Sequence, residues 1–227
     1  MVELGEPLEG AAFDSAVAPL PAAERARIGR YRFADDRMRA LLAALLVRTL
    51  AARHAGIAAA DVEIVRGELD RPALAWPAGW PGDVNASHSG RWVACGACGR
   101  GRIGVDVEMV RAVDPGLARR VFSPSERRYL AAGGDERFFE LWTLKEALVK
   151  ATGRGLQTPL DSFGFDPDAL ERGRPVLAPG ADVGGPWRFA RWRIDADHFV
   201  AVCTDGPLPD APRVIARAAV LAALGAP

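Results

Sequence analysis

The chain has 227 residues, 49% of them hydrophobic, and its 29 basic residues balance its 29 acidic residues. This length is sufficient for one large domain or two small ones with a buried core, and a net charge of zero provides no field that would recruit nucleic acid or an anionic membrane. Because the N-terminus is acidic and no apolar run is long enough to span a bilayer, we expect a soluble, cytoplasmic protein without a secretory signal.

The first half of the sequence predicts a long helix followed by short strands. Five leucines recur at helical spacing between Leu41 and Leu50, inside a charged segment that we expect to be helical from Ala22 to Ala55. A short strand is expected from Val62 to Arg66, and the prolines of the next segment, Arg71 to Gly82, exclude long regular elements there. Apolar runs predict three further strands, at Val84 to Ser87, Trp92 to Cys98 and Ile103 to Val110.

The second half predicts two helices followed by strands. The stretch from Ser123 to Glu126 has the residue order of a serine-capped helix with a capping box and a proline at its first position. Asp135 is expected to cap the next helix, which carries Trp142 to Lys150 and stops near Gly153. The remaining predicted elements are strands at Trp187 to Ile194 and Phe199 to Thr204, and a helical tail at Val214 to Leu224.

Each half of the chain therefore combines helices with a run of short strands. This order is typical of the α+β class rather than of a regular parallel βαβ array. The length and the repeated order predict two similar α+β halves packed together, which we expect at residues 1–102 and 103–227.

Cys95 and Cys98 form a C-x-x-C pattern, but the sequence around them does not favour a metal or redox site. A zinc site would need a second pair of ligands, and only the distant Cys203 remains. A redox pair would open a helix, whereas a turn rich in glycine and arginine follows Cys98. We therefore expect two small residues at the end of a strand.

Lysine occurs at only two positions, Lys145 and Lys150, while the other 27 of the 29 basic residues are arginines. Lysine provides a compact ammonium on a flexible stem, where arginine provides a broad planar fork. Glu146 and Lys150 are four residues apart and share one face of the predicted helix, with Trp142 one turn earlier. An ordinary exposed ion pair has the same spacing, but the choice of lysine favours a chemical role.

A pair of carboxylates lies on one face of the predicted strand at Ile103 to Val110. Asp106 and Glu108 alternate with valines, and alternate residues of a strand share a face. Adjacent carboxylates repel each other unless a cation lies between them, and oxygen ligands favour magnesium when phosphate is also present. Glu146 would complete a set of three, and Lys150 would neutralise phosphate oxygens beyond the metal. The alternative is an edge strand with two solvated acids.

The segment from Asn85 to Gly90 carries polar groups that suit phosphate. Serine hydroxyls flank His88 at a predicted strand end, where we expect backbone N–H groups to be available to a phosphate. The alternative is a polar turn that the histidine caps. Only three histidines occur in the chain, which favours a functional role for this one.

These segments, in this order, resemble the 4′-phosphopantetheinyl transferases, in particular the larger Sfp-type enzymes. No single motif is decisive, but the ordered set is highly specific and covers most of the chain, with a looser match from Arg25 to Arg48. The matching segments are Asn85 to Trp92, Gly104 to Glu108, Phe122 to Glu126, Phe139 to Lys150, Gly153 to Leu156 and Pro159 to Phe163.

The resemblance implies an enzyme that transfers the phosphopantetheine arm of coenzyme A to a serine of an apo acyl or peptidyl carrier protein and releases adenosine 3′,5′-bisphosphate. It implies two similar α+β halves in one chain, arranged as a pseudo-dimer with coenzyme A in the cleft between them. The expected partners are coenzyme A and carrier proteins, with neither nucleic acid nor a membrane, and a monomer is expected in solution.

Position by position, the resemblance implies that Asp106, Glu108 and Glu146 are ligands of magnesium, with manganese as a substitute. It implies that Glu146 is also the base that takes the serine proton, directly or through water. Lys150 resembles the lysine that contacts the diphosphate and steadies charge on the leaving group. The residues expected to bind coenzyme A are Arg39, Arg71, Ser87, His88, Asp106 and Lys150.

The first helix departs from the family pattern. Several relatives carry lysines there that bind the 3′-phosphate of coenzyme A, whereas this chain has Glu24, Arg27 and Arg30. Arg39 remains as a reasonable contact of that phosphate.

Two other functions fit parts of the pattern. One is a different magnesium enzyme acting on a phosphate ester, such as a phosphatase or nuclease, and the other is a non-catalytic module that binds coenzyme A or carrier proteins. Binding alone would not need three carboxylates and Lys150, which argues against the module.

Overall fold

The computed structural model of the protein describes residues 1–67, 71–155 and 158–224, and in it the chain divides into two compact units. Met1 to Arg100 and the segment from Pro212 onward form the first unit, and Gly101 to Ala211 form the second unit. Each unit combines helices with a three-stranded antiparallel sheet, which confirms the predicted α+β class and its organisation in two halves. None of the described helices is both long enough and apolar enough to cross a membrane.

Helices open the first unit: α1 (Gly10–Val17), α2 (Ala22–Gly29) and α3 (Ala34–Ala55). The prediction of one continuous helix from Ala22 to Ala55 is wrong, because the chain is extended at Phe33 (φ −94°, ψ 142°). Arg37 donates hydrogen bonds of 3.2 Å to the carbonyl oxygens of residues 31 and 32, which stabilise this break. α3 then buries Leu41, Leu42, Leu45 and Leu46 and is capped by Gly56, whose φ of 71° lies in the left-handed region that glycine adopts most easily.

The strands of the first unit are β1 (Val2–Glu3), β2 (Glu63–Arg66), β3 (Pro72–Trp76), β4 (Asp83–Ser89) and β5 (Trp92–Cys98). β5 lies between β1 and β4 in one sheet, against which α3 packs, while β2 and β3 form a separate antiparallel pair. The segment from Arg71 to Gly82, where the sequence excludes long regular elements, contains only the five-residue strand β3 among its regular elements. Its prolines permit this because Pro72 is the first residue of β3 and Pro77 follows its last residue.

The cysteines of the C-x-x-C pattern lie in β5, as predicted, and both are free thiols. Burial raises the pKa of Cys95 to about 12. A thiol that stays protonated at neutral pH is a poor nucleophile and a poor metal ligand, which agrees with a structural role.

The elements of the second unit are β6 (Ile103–Met109), α4 (Pro115–Val121), α5 (Pro124–Ala131), α6 (Gly134–Thr152), α7 (Pro167–Glu171), β7 (Arg188–Arg193) and β8 (His198–Thr204). β8 pairs with β6 on one side and β7 on the other, and α6 packs against the sheet. A hydrophobic core forms between them and includes Phe139, Leu144, Phe199 and Ala201.

Local signals account for the helix ends of the second unit. Ser123 caps α5 with the predicted capping box, and α6 ends at Gly153, with a φ of 71°, as predicted. The predicted cap at Asp135 is wrong: Gly133 is the N-cap, and Asp135 lies in the first turn, where an acidic side chain still favours the helix dipole. Leu156, the last residue of the matching segment Gly153 to Leu156, lies outside the described residues.

The C-terminal segment belongs to the first unit rather than to a second half that runs from residue 103 to 227. It contains a short helix, α8 (Arg217–Leu221), so the predicted helical tail is only partly helical. Arg217 Nη1 donates to the carbonyl oxygen of Leu4 at 2.7 Å, and Val220 is buried in the same cluster as Val2 and Leu4. A short apolar helix carries no local signal for the core it will join, so its sequence alone could not place it.

Candidate active site

The close packing of β6 against α6 depends on Gly104. A Cβ atom at this position would lie 2.0 Å from the carbonyl oxygen of Ala147 and 2.5 Å from the amide nitrogen of Ala151. The contact sets the distance between the strand that carries two predicted carboxylates and the helix that carries the third. Gly104 was not among the predicted site residues, although a glycine inside an apolar strand is a signal of close backbone approach.

The three predicted carboxylates influence one another's charge. Asp106 is 3% exposed, while Glu108 and Glu146 are partly buried. Burial raises the pKa of Glu146 to about 6, and the negative charges of Asp106 and Glu108 act in the same direction, while Lys150 acts against them. The structure therefore brings Asp106, Glu108 and Glu146 together, and their role as metal ligands stays a prediction.

Lys150 reaches from α6 across to β6. Its Nζ atom lies 2.7 Å from Oδ1 of Asp106 and 3.3 Å from the carbonyl oxygen of Val105. The side chain is 27% exposed, so the ammonium remains accessible to a ligand. Lys150 thus supplies a positive charge directly beside the carboxylates, and its predicted role toward phosphate oxygens stays a prediction.

Lys145 has a different environment from Lys150, because it is completely buried. Its Nζ atom lies 2.8 Å from Oε2 of Glu126 and donates hydrogen bonds to the carbonyl oxygens of Leu160 at 2.6 Å and Phe163 at 2.7 Å. Burial lowers the pKa of Lys145, an effect that the negative charge of Glu126 opposes. The two lysines of the chain therefore serve different purposes, one inside the core and one beside the carboxylates.

Oxygen donors alone make up the carboxylate cluster, which is the chemistry that magnesium prefers. Among the described residues, no three His, Cys, Asp or Glu side chains are arranged so that they could hold a metal ion. Lys150 pairs with Asp106, and Arg111 lies 3.2 Å from Oε2 of Glu108, so cations of the protein compensate two of the carboxylates. The donors are therefore of the type that a hard divalent cation binds, while in this structure Lys150 and Arg111 compensate two of them.

The end of β4 carries the predicted phosphate-binding residues of the first unit. Ser87 is partly buried and His88 is exposed, and the turn to β5 follows at Gly90, with a φ of 53°. Arg39 reaches this turn from α3: its Nε atom donates to the carbonyl oxygen of Gly90 at 3.0 Å, and Nη1 donates to Asp36 at 2.9 Å. Arg39 and His88 thus belong to the same end of the sheet.

Arg71 belongs to the opposite end of β4. Its Nη2 atom lies 2.5 Å from Oδ2 of Asp83, the first residue of the strand. Asp83 and His88 are five residues apart in a strand, a separation of about 17 Å. The structure therefore does not bring Arg71 and His88 to one point, although both lie along one strand.

Glu24 occupies a position where the resemblance places a phosphate-gripping lysine, and its role is structural. Its carboxylate, in a residue 8% exposed, lies 2.6 Å from Arg48, 3.1 Å from Arg66 and 3.3 Å from Arg27. Burial acts to raise the pKa of Glu24, but Arg48 and Arg66 outweigh it and hold the pKa below its usual range. This ion-pair cluster ties α2 to α3 and β2.

Both regions of the chain match the same family. Residues 102–203 match the 4′-phosphopantetheinyl transferase superfamily, and residues 6–100 match the family described as 4′-phosphopantetheinyl transferase, N-terminal. The chain is 31% identical, over 91% of both chains, to a 4′-phosphopantetheinyl transferase of Bacillus subtilis. It is 32% identical, over 81% of both chains, to the 4′-phosphopantetheinyl transferase Sfp of Bacillus subtilis strain 168.

A partial match to a solved structure accompanies these relatives. Holo-[acyl-carrier-protein] synthase of Thermotoga maritima is 27% identical to this chain, with a TM-score of 0.39, and the match covers 48% of this chain and 66% of the synthase. The protein belongs to the 4′-phosphopantetheinyl transferase superfamily and, within it, to the Sfp-type enzymes.

Proposed function

We propose that this protein transfers the 4′-phosphopantetheine arm of coenzyme A to a serine hydroxyl of an acyl or peptidyl carrier protein and releases adenosine 3′,5′-bisphosphate. The observation that carries the proposal is the convergence of Asp106, Glu108, Glu146 and Lys150 where β6 packs against α6. Attack on a diphosphate requires neutralisation of phosphate charge and a positioned base. This set contains groups of both kinds.

Glu146 is the proposed base. A carboxylate with a pKa of about 6 is mostly ionised at neutral pH and still accepts a proton readily. It takes the serine proton, directly or through a water molecule, while the serine oxygen forms a bond to the phosphorus atom next to the pantetheine arm. The bond from this phosphorus to the oxygen that bridges the two phosphates breaks, and adenosine 3′,5′-bisphosphate leaves with the electron pair.

Lys150 stabilises the charge that develops on the leaving group. Its ammonium is partly exposed and sits on a flexible stem, so it can exchange the carboxylate of Asp106 for oxygens of the diphosphate. Asp106, Glu108 and Glu146 would hold magnesium, or manganese in its place, and the bound ion would supply further neutralisation of the diphosphate.

Four residues of the first unit are the proposed contacts of coenzyme A: Arg39, Arg71, Ser87 and His88. The exposure of His88 and the contact of Arg39 with the adjoining turn support a phosphate site at the end of β4. Because Arg71 lies about 17 Å along the strand, we propose that it meets a different phosphate of the same coenzyme. Coenzyme A offers both a diphosphate and a 3′-phosphate for these two contacts.

The test is transfer itself. The protein, proposed to act as a monomer, is incubated with coenzyme A, magnesium and several apo carrier proteins, and each carrier is weighed by intact mass spectrometry. We expect one carrier or more to gain one phosphopantetheine group, and no gain with Asp106→Ala. Binding of coenzyme A without any transfer would favour a non-catalytic module, and hydrolysis of coenzyme A without a carrier would favour another phosphate-ester enzyme.

A further inference from the structure

Arg111 lies two residues beyond β6 and contacts the carboxylate cluster from the end of the strand. Its Nη1 atom lies 3.2 Å from Oε2 of Glu108 and donates a second hydrogen bond, also of 3.2 Å, to the carbonyl oxygen of Met109. The side chain of Arg111 is 55% exposed, and that of Glu108 is 19% exposed. Arg111 therefore brings a positive charge to Glu108 without being part of the buried core.

The ring of Phe139 supports the guanidinium of Arg111. The Cζ atom of Arg111 lies 4.8 Å from the centroid of this ring, and Phe139 is buried on α6. Phe139 and Glu146 are seven residues apart, which places them on nearly the same face of the helix, two turns from each other. Arg111 thus links the end of β6 to the helix face that carries the third carboxylate. An arginine suits this place because its planar group can stack on a ring and donate hydrogen bonds at once.

A divalent cation that enters the cluster meets two cations of the protein. Lys150 lies 2.7 Å from Asp106, and Arg111 lies 3.2 Å from Glu108. In the proposed reaction, Lys150 has a second partner in the diphosphate of coenzyme A. The proposed reaction assigns no such second partner to Arg111, whose charge acts on Glu108 and on whatever binds there.

We propose that Arg111 is a positioning residue that holds the carboxylate of Glu108 as its counter-ion and that a divalent cation must displace it. This inference rests on the proposed function, since it concerns the metal that the carboxylates would hold. Because the ion pair is partly exposed and therefore screened by water, we expect its removal to strengthen metal binding by about threefold to tenfold.

Binding of Mn²⁺, measured by the electron paramagnetic resonance signal of the free ion, tests the inference without turnover. Saturating coenzyme A is present, no carrier protein is added, and a titration without protein corrects for Mn²⁺ held by coenzyme A. The proteins are the wild type, Arg111→Gln, Glu108→Gln and the double variant. The control is Arg128→Gln, which removes the charge of an exposed arginine on α5.

The expected result is tighter binding of Mn²⁺ by Arg111→Gln, by about threefold to tenfold, with no change for Arg128→Gln. In the Glu108→Gln background, the gain from Arg111→Gln should be clearly smaller, because the part that comes from freeing the carboxylate of Glu108 is lost. Equal or weaker binding by Arg111→Gln, or the same gain without Glu108, overturns the inference and leaves the proposed function standing. If the wild type binds no Mn²⁺ but still transfers phosphopantetheine, the inference about Arg111 and the metal is overturned and the proposed function stands. If the wild type neither binds Mn²⁺ nor transfers phosphopantetheine, the proposed function is overturned as well.

Discussion

The ammonium of Lys145 and the carboxylate of Glu126 form an ion pair of 2.8 Å in which both side chains are fully buried. Glu126 also accepts hydrogen bonds from the backbone amides of Ser123 and Phe165, and Lys145 donates to two backbone carbonyls. The pair therefore ties the start of α5 and the chain after α6 to the middle of α6. Because Lys145 directly precedes Glu146, this connection fixes the helix turn that carries the candidate base.

Removing the charge of Lys145 should destabilise the protein strongly. Lys145→Met leaves the carboxylate of Glu126 buried without its cation, a change that costs about 3–5 kcal/mol. In the double variant Lys145→Met, Glu126→Gln, part of the lost stability should be recovered, because a neutral amide costs less to bury than a carboxylate. Thermal and urea unfolding of both variants would measure their free energies of unfolding. A Lys145→Met protein as stable as the wild type would show that the pair contributes little.

Replacing Lys150 by arginine should affect turnover rather than folding. The residue is partly exposed, so the fold tolerates the change, but the planar fork carries its charge further from the stem than an ammonium does. We expect the kcat at saturating coenzyme A to fall by about tenfold or more, while the KM for coenzyme A changes little. Steady-state kinetics with a carrier protein would measure this, and an arginine variant with the kcat of the wild type would remove Lys150 from the chemistry.

Replacing Glu146 by glutamine should abolish most of the activity. The amide keeps the shape of the side chain but can neither accept the serine proton nor carry a ligand charge, so we expect a loss of more than about a hundredfold in kcat. In the wild type, the rate should fall in acid as Glu146 becomes protonated, at a pH below the metal-free pKa of about 6, because a bound divalent cation favours the ionised carboxylate. A fall in coenzyme A affinity with an unchanged kcat would instead make Glu146 a binding residue.

The same substitution should stabilise the metal-free protein at neutral pH. The pKa of Glu146 in the fold, about 6, is higher than the ordinary value of 4.5, so folding favours the protonated form. The stability that Glu146 contributes is therefore present below pH 4.5 and is lost as the pH rises through about 6. With a chelator present, urea unfolding should find Glu146→Gln more stable than the wild type by about 1–2 kcal/mol at neutral pH, and no more stable in acid.

A methyl group at Gly104 should separate β6 from α6. The new Cβ would overlap backbone atoms of Ala147 and Ala151, which cannot move without bending the helix. We expect Gly104→Ala to lower the melting temperature and to reduce transfer activity. Gly29→Ala is the matched control, since a Cβ there meets no atom within 4 Å. Thermal unfolding would compare the two variants. Equal melting temperatures for Gly104→Ala and Gly29→Ala would refute the role of this contact.

Residues whose roles depend on near neighbours in the chain could be predicted from the sequence. The capping box at Ser123, the end of α6 at Gly153 and the shared face of Asp106 and Glu108 all arise from spacing within a few residues. Contacts between distant segments could not be predicted in this way. Lys145 and Glu126 are 19 residues apart in the sequence, and they pair because α5 packs against α6 in the fold.

The first unit shows the same limit in another form. Spacing predicts a helix at Ala22 to Ala55, but the break before Phe33 depends on hydrogen bonds from Arg37 to the backbone. The resemblance to the family places a lysine where Glu24 lies, yet three arginines from different elements surround that carboxylate in the fold. A substitution that looks like a lost ligand contact is therefore part of an ion-pair cluster whose members only the structure brings together.

The return of the C-terminal segment to the first unit determines the order in which the units can be completed on the ribosome. All residues of the second unit, Gly101 to Ala211, have been synthesised before the segment from Pro212 onward emerges. The first unit still lacks α8 at that moment, so the cluster that contains Val2 and Leu4 is without Val220. Because domains generally fold as units during synthesis, we expect that the second unit can close its core before the first unit, which waits for the segment from Pro212 onward.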